Sequence, residues 1–414
     1  MLNCFYDCYT ILNKVYGDKA YLKQAINSTP IEEKNRSLTV KICYGVLDKD
    51  IELSYYITAL TEKSPKLVIR TILKIALYNI LYLNKHDYAV VKNAVELTKK
   101  LGKGGASGFV NAFLRKFSAA KPSLPEKGIK GLSVKYSYPE FIVKELIKDY
   151  GEERSVNIMS SVNAKTCLSF LSGGGEEYLK SRNLPFEKTP FDNVYLLNNF
   201  VRDEKYDEGF YTYQALGSVA ICEGVVPCKN LLDCCAAPGG KSVRLSFKCD
   251  KVYSWDIHAH RVELIEEYKR RLKRDNIVAE VKDAKVYDKR YERFFDAVLI
   301  DAPCSGTGVI NDNPDIKLNR DENALSEIVK ESKAIIKTVS NYVKKGGYLY
   351  YSTCSVLHRE NIEIIRDFLS DVKDFVLCET DSLLPHENID KTLQFLPDIS
   401  GGLGFYFAKL KRID

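Results

Sequence analysis

Along residues 1–120 apolar positions recur at three- and four-residue steps, the period of an amphipathic helix. "SPKLVIRTILKIALYNILYL" (64–83) and "YAVVKNAVELTKKLG" (88–102) show it most clearly, and a glycine-rich turn, "GKGGASG" (102–108), leads into the helical "FVNAFLRKF". "AAKPSLPEKG" (119–128), with two prolines, reads as a linker. Between 121 and 228 the pattern is mixed. "YPEFIVKELIKDYG" predicts a helix with proline in its first turn, and "TCLSFL" and "NVYLLN" predict short strands, together a small α+β unit. From 229 to the end, apolar runs alternate with amphipathic stretches. "NLLDCC", "KVYSWD" (251–256), "IVAEVKDA" (277–284), "FDAVLIDAP" (295–303) and "GYLYYSTCS" (347–355) predict five strands, with helices such as "RVELIEEYKRRLKRD" and "RENIEIIRDFL" between or after them.

Strands without polar alternation, joined by helices, imply a parallel, doubly wound sheet covered on both faces. The expected architecture is therefore multidomain: an all-α domain over 1–120, a linker helix and small α+β unit over 121–228, and a Rossmann-like α/β domain over 229–414. In such sheets ligands lie at the carboxyl ends of the strands. Those ends carry Asp233, Asp256, Asp283, Asp301 and Cys354.

Composition adds limits. The chain has 414 residues, 45% hydrophobic and 28% charged, which suits a globular protein with full cores. No apolar run reaches membrane-spanning length, and the start lacks a signal-peptide layout. A cytoplasmic protein with no membrane association is expected. The twelve cysteines include no paired Cys-x-x-Cys spacing, so neither a disulfide scaffold nor a metal site is expected. Cys4 and Cys8 read as one face of the first helix. Charge is uneven: 18 basic against 10 acidic residues in 1–120, but 43 against 45 in the remainder. A basic first domain suggests that it holds a polyanion while the rest does chemistry. Lys99, Lys100, Lys103, Arg115 and Lys116 gather about the glycine turn and could contact phosphates; an ordinary solvated helical surface is the plain alternative.

"DCCAAPGGKS" (233–242) is not a P-loop, because Cys235 stands where that loop needs its first glycine. Nor is it a dinucleotide fingerprint, since Gly239 and Gly240 are adjacent. It remains a strand running into a small-residue turn that opens a helix, which offers backbone N–H groups to a ligand. Asp256, sixteen residues after Gly240, stands where an acid accepts ribose hydroxyls, or caps the next helix. "DAPCSGTG" (301–308) sets a thiol beside an acid above the sheet, and "STCS" (352–355) sets a second thiol above another strand. Each cysteine alone could be a small core residue; two at one sheet edge are harder to explain that way.

"DCCAAPGGKS", "DAPCSGTGVI…PDIK" and "YSTCSV" resemble motifs I, IV and VI of the S-adenosylmethionine-dependent RNA cytosine-C5 methyltransferases. The N-terminal helices are similar to the NusB-like domain that bacterial 16S rRNA cytosine-C5 methyltransferases of the Sun/Fmu group carry, and "FLPDISGGLGFYFAKLKR" resembles their final strands. The resemblance implies that Cys235, Ala236, Ala237, Pro238, Gly239, Gly240 and Lys241 form the loop that binds S-adenosylmethionine. It also implies that Asp256 takes the ribose, Asp283 the adenine, and that Asp301 lies between cofactor and target base. Cys354 is then the nucleophile that adds to cytosine C6, and Cys304 assists release of the product. The implied substrate is one cytidine of 16S ribosomal RNA and the implied state a monomer. The same reaction on tRNA, or a non-catalytic RNA-binding or antitermination factor, are the alternatives; a pure binder has no need of both thiols.

Overall fold

The computed structural model describes residues 2–162, 165–198, 200 and 202–414. The chain forms two compact units, Met1–Ser160 with Asp312–Arg320, and Ser161–Asn311 with Asp321–Asp414.

The first unit is helical. Helices Leu2–Asp18, Leu22–Asn27, Glu33–Asp48, Asp50–Leu60, Leu67–Leu81, Asp87–Lys100 and Ser107–Ala119 close around one core that includes Phe5, Ile42, Tyr56, Leu73, Leu97 and Phe117. The helix Leu67–Leu81 is buried on nearly all sides, so its polar residues need internal partners. Thr71 and Asn79 donate to carbonyls one turn back, and the Lys74 ammonium pairs with Asp50. Cys4, Cys8 and Cys43 are buried in the same core, as small apolar residues. Helices Gly128–Tyr136 and Glu140–Ser160, the latter broken where Gly151 takes a φ of 76°, belong to this unit too.

So does 312–320, which follows the "DAPCSGTGVI" loop in sequence. Lys317 is buried there, donating to the Asp48 carbonyl and carboxylate at 2.9 and 2.8 Å, while the Asp315 carboxylate accepts from the Leu22 amide. Asp48 stays below the usual carboxylate range because Lys317 and Lys49 outweigh the opposing effect of its burial.

The second unit holds two sheets. Strands β1 (Thr166–Ser169), β2 (Glu187–Lys188), β3 (Val194–Leu197) and β4 (Thr212–Tyr213) form a small sheet of order β2-β3-β1-β4. Leu168, Phe170, Leu179, Tyr195 and Tyr211 make its core. The larger sheet contains β5 (Cys228–Cys234), β6 (Cys249–Asp256), β7 (Ile277–Val281), β8 (Phe295–Asp301), β9 (Val343–Thr353), β10 (Phe375–Leu377), β11 (Glu387–Ile389), β12 (Thr392–Phe395) and β13 (Phe405–Arg412). Its order is β11-β12-β13-β9-β8-β5-β6-β7, with β10 beside β13.

From β9 to β7 the pairing is parallel, and β13 joins β9 antiparallel. Leu231, Leu232, Val298, Leu299, Ile300, Leu349 and Tyr350 are fully buried, which is why these strands read as continuous apolar runs. The fold is thus an all-α part followed by a Rossmann-like α/β domain with a small α+β sheet ahead of it. Chain order reverses at β5, whose neighbours are β6 and β8. In doubly wound sheets ligands bind beyond the carboxyl ends of the strands at such a reversal.

Candidate active site

β5 ends at Cys234, and the chain then turns into the short helix Gly240–Leu245. The turn is held by a hydrogen bond from the Ala236 amide to the Trp255 carbonyl at 2.8 Å and another from the Gly239 amide to Ala236. Cys235 and Gly239 both have positive φ, 65° and 105°. At Gly239 a side chain would also meet the Ile265 backbone at 3.2 Å, so glycine serves both the turn and the close approach of the helix Ala259–Arg271. A Cβ on Gly240, by contrast, would meet nothing within 4 Å, so backbone lies open to a ligand there.

Around this loop three buried side-chain oxygens accept no hydrogen bond: Asp233 Oδ1, Asp256 Oδ2 and Gln214 Oε1. Burial pushes the Asp233 carboxyl up to about 7, with Asp301 and Asp256 adding to it, while the Ser242 hydroxyl donates to Oδ2. Asp256 is 2% exposed; its Oδ1 accepts from the His258 amide, which starts the next helix, and Oδ2 faces Arg261 at 3.4 Å. The N-cap of that helix is His258, so Asp256 fixes the turn ahead of the helix and does not cap it. Asp283 lies two residues beyond the end of β7, and its Oδ1 accepts from the Lys285 amide in a turn.

Asp301 ends β8 directly opposite Ser352 of β9. Its Oδ1 accepts from the Ser352 hydroxyl at 2.9 Å and its Oδ2 from the Lys241 ammonium at 2.7 Å. Burial alone would lower the pKa of Lys241, but the Asp301 carboxylate outweighs it and the ammonium is held above its ordinary range. The last residue of the glycine loop therefore reaches across to the acid of the second motif. Beyond Asp301 and beyond β9 stand the two thiols, with Cys304 Sγ and Cys354 Sγ 3.0 Å apart. The Gly308 amide donates to the Cys354 carbonyl and the Gly404 amide to the Gly308 carbonyl, which pins the second thiol loop against the first. The hydrogen bond to Cys354 and burial push the Cys304 thiol well above its usual range.

The structure brings the glycine loop, Asp256, Asp301, Cys304 and Cys354 to one edge of one sheet. Lys99, Lys100, Lys103, Arg115 and Lys116 lie in the helical unit, on the end of helix Asp87–Lys100, the following turn and helix Ser107–Ala119. Lys99 pairs there with Glu96, and Lys100 stands over the Tyr6 ring. Sequence reading missed the Lys241–Asp301 pair, the Ser352 hydroxyl, and Gln214, whose amide donates to the Gly240 carbonyl. A lysine in a loop of small residues was the one available signal, since buried ammonium groups need an anion. Among the described residues no group of three or more His, Cys, Asp or Glu is placed to hold a metal ion, and no helix is long and apolar enough to cross a membrane.

Two family models match the chain: 16S rRNA methyltransferase RsmB/F over residues 225–411 and the NusB family over 5–119. The probable ribosomal RNA small subunit methyltransferase B of Bacillus subtilis (strain 168) is 31% identical over 437 residues, covering 97% of both chains. The ribosomal RNA small subunit methyltransferase B of Shigella boydii serotype 18 is 29% identical, covering 92% of this chain and 91% of its own. Among solved structures, PH0851 superposes with a TM-score of 0.86 at 19% identity over 100% of this chain and 99% of that one. NSun6 from Pyrococcus horikoshii with SFG does so with a TM-score of 0.60 at 17% identity, over 67% of this chain and 99% of its own. These two likenesses concern the fold. With the relatives matching from end to end, the chain belongs to the 16S rRNA methyltransferase RsmB/F family and is an rRNA methyltransferase enzyme of that family.

Proposed function

We propose that the enzyme uses S-adenosylmethionine to methylate C5 of one cytidine in 16S ribosomal RNA, through a covalent bond between Cys354 and C6. The close approach of the Cys304 and Cys354 thiols, beside an Asp301 already paired with Lys241, carries this reading. S-adenosylmethionine supplies an electrophilic methyl group. The residues present fit it: the open backbone at Gly240 suits its methionine part, and Asp256 Oδ2, which faces Arg261 but accepts no hydrogen bond, suits the donating hydroxyls of a ribose. Cys235 to Lys241 would form the binding loop, with Asp283 at the adenine and Asp301 between cofactor and base.

Cytosine C5 is a poor nucleophile on its own. Addition of the Cys354 thiolate at C6 moves electron density to C5, so that covalent catalysis divides one hard step into easier ones. Asp301 hydrogen-bonds the cytosine ring and favours its protonation as the thiolate adds. C5 would then take the methyl group as its bond to the sulfonium sulfur breaks and a neutral thioether leaves. Loss of the C5 proton and expulsion of the Cys354 thiolate restore the aromatic ring, with Cys304 assisting that release. The Lys241 ammonium orients Asp301 and balances its charge.

Lys99, Lys100, Lys103, Arg115 and Lys116 would contact RNA phosphates from the helical unit. An rRNA substrate places the reaction in the cytoplasm, and a monomer suffices because the proposed catalytic and cofactor residues all lie in one unit of one chain. Incubation of the purified protein with methyl-labelled donor and either 16S rRNA or tRNA, followed by bisulfite mapping, tests the proposal. One cytidine protected from conversion is expected. Label in tRNA alone, or at a base other than cytosine, would overturn it.

A further inference from the structure

Glu360 ends the short turn His358–Glu360 that follows β9, and it is 1% exposed. None of the steps above uses it, yet a buried carboxylate needs donors around it. Those donors are the immediate neighbours of the two thiols. The Ser305 amide donates to one carboxylate oxygen and the Ser305 hydroxyl to the other, both at 2.6 Å. The Ser355 hydroxyl shares that second oxygen, and the Thr307 hydroxyl lies 2.9 Å from the hydroxyl of Ser355. Ser305 follows Cys304 and Ser355 follows Cys354, so one carboxylate fastens together two loops whose thiols are fifty positions apart in sequence. The backbone around it is fixed as well. The Tyr351 hydroxyl donates to the Glu360 carbonyl, and the Asn361 amide group donates to the carbonyl of Ser355.

The charges about the thiol pair are unequal. Two thiols in contact cannot both ionise readily, because a thiolate on one opposes a second charge on the other. On the Cys304 side stands the Glu360 carboxylate; after the hydrogen bond to Cys354 and burial, its negative charge is a further cause that keeps Cys304 protonated. On the Cys354 side stands Lys241, whose ammonium is sustained first by Asp301 and, to a smaller extent, by Cys222 and Cys354. The Glu360 charge thus acts on Cys304 and the Lys241 ammonium on Cys354, which gives the pair a direction.

We propose that Glu360 is the positioning residue of the thiol pair: it holds Cys304 and Cys354 in contact and places its negative charge against ionisation of Cys304, leaving Cys354 as the nucleophile. The inference deepens the covalent mechanism and rests on its assignment of roles to the two thiols.

Alkylation by substoichiometric iodoacetamide, read by peptide mass spectrometry across a pH series, tests it on the full chain without RNA or methyl donor. In the wild type Cys354 should be modified first, with Cys304 lagging until more alkaline pH. Glu360→Gln keeps the size of the side chain and its capacity to bond both serines, but removes the charge. In that variant the pH midpoint for Cys304 should fall by about one unit or more, the scale of a nearby like charge. A folded Glu360→Gln protein with an unmoved Cys304 profile would overturn the proposal, because a purely structural role predicts no shift. Should that variant not fold, the wild type decides alone: Cys304 reacting first, or equally fast, would overturn it. Since alkylation needs no RNA, an enzyme that fails the cytidine test yet shows this order and shift would lose the proposed reaction and keep the Glu360 assignment.

Discussion

Asp233 lies one position from the end of β5 with no exposed surface, and burial raises its carboxyl to about 7. Between the ordinary carboxylate value near 4 and that raised value, the folded state binds more protons than the unfolded one. Stability therefore falls as pH rises through this window and levels off above it. Asp233→Asn keeps the acceptor for Ser242 and removes the charge. The difference in urea stability between variant and wild type should grow in favour of the variant from about pH 4 to 7, by up to roughly 4 kcal/mol if the shift is fully expressed. A constant difference across the window would show that Asp233 does not titrate there. Asp256 tests the proposed cofactor site at the same scale. Asp256→Ala removes charge-assisted hydrogen bonds to ribose hydroxyls, so calorimetry should show S-adenosylmethionine bound roughly tenfold or more weakly. Undiminished binding would take Asp256 out of the site.

The loops that carry the thiols depend on backbone approaches that only small residues allow. A Cβ on Gly308 would lie 2.1 Å from the Gly404 carbonyl oxygen and 2.9 Å from that of Cys354. Gly308→Ala should cost about 1–3 kcal/mol through overpacking, seen as a lower Tm. It should also lower kcat, because the displaced backbone is the one that holds Cys354; wild-type values of both would contradict this role. At this scale much was legible in sequence, since β5, β6, β8 and β9 were each readable from a contiguous apolar run with its polar terminus. Asp283 was less well placed, because β7 stops at Val281 before the turn begins. Pairings between distant segments were not legible. Lys241 with Asp301, and Glu360 with Ser305, join residues 60 and 55 positions apart whose meeting depends on strand order. Nothing in local periodicity encodes that order.

Across the whole molecule, the helical unit recruits residues from far along the chain. The 312–320 segment, which holds the "PDIK" of the second motif, packs with the N-terminal helices through Lys317 and Asp315. Removing 1–120 would leave Lys317 without Asp48, so truncation is a poor probe of RNA binding. Glutamine at Lys99, Lys100, Lys103, Arg115 and Lys116 together is a better one. If these side chains meet phosphates, the variant should bind rRNA more weakly. The slope of log affinity against log salt should also become shallower, by about 0.7–0.9 for each phosphate no longer neutralised. An unchanged slope would mean that the excess of 18 basic over 10 acidic residues in 1–120 is only a solvated surface.

Trapping of the RNA–protein adduct in variants of the two thiols reads the covalent mechanism most directly. Cys304→Ala should still allow attack and methyl transfer but stall release, leaving a denaturant-resistant, methyl-donor-dependent band of protein bound to RNA. Cys354→Ala should give neither adduct nor methylated product. An adduct in Cys354→Ala and none in Cys304→Ala would reverse the roles of the two thiols. Methylation intact in both variants, with no adduct in either, would contradict covalent catalysis altogether.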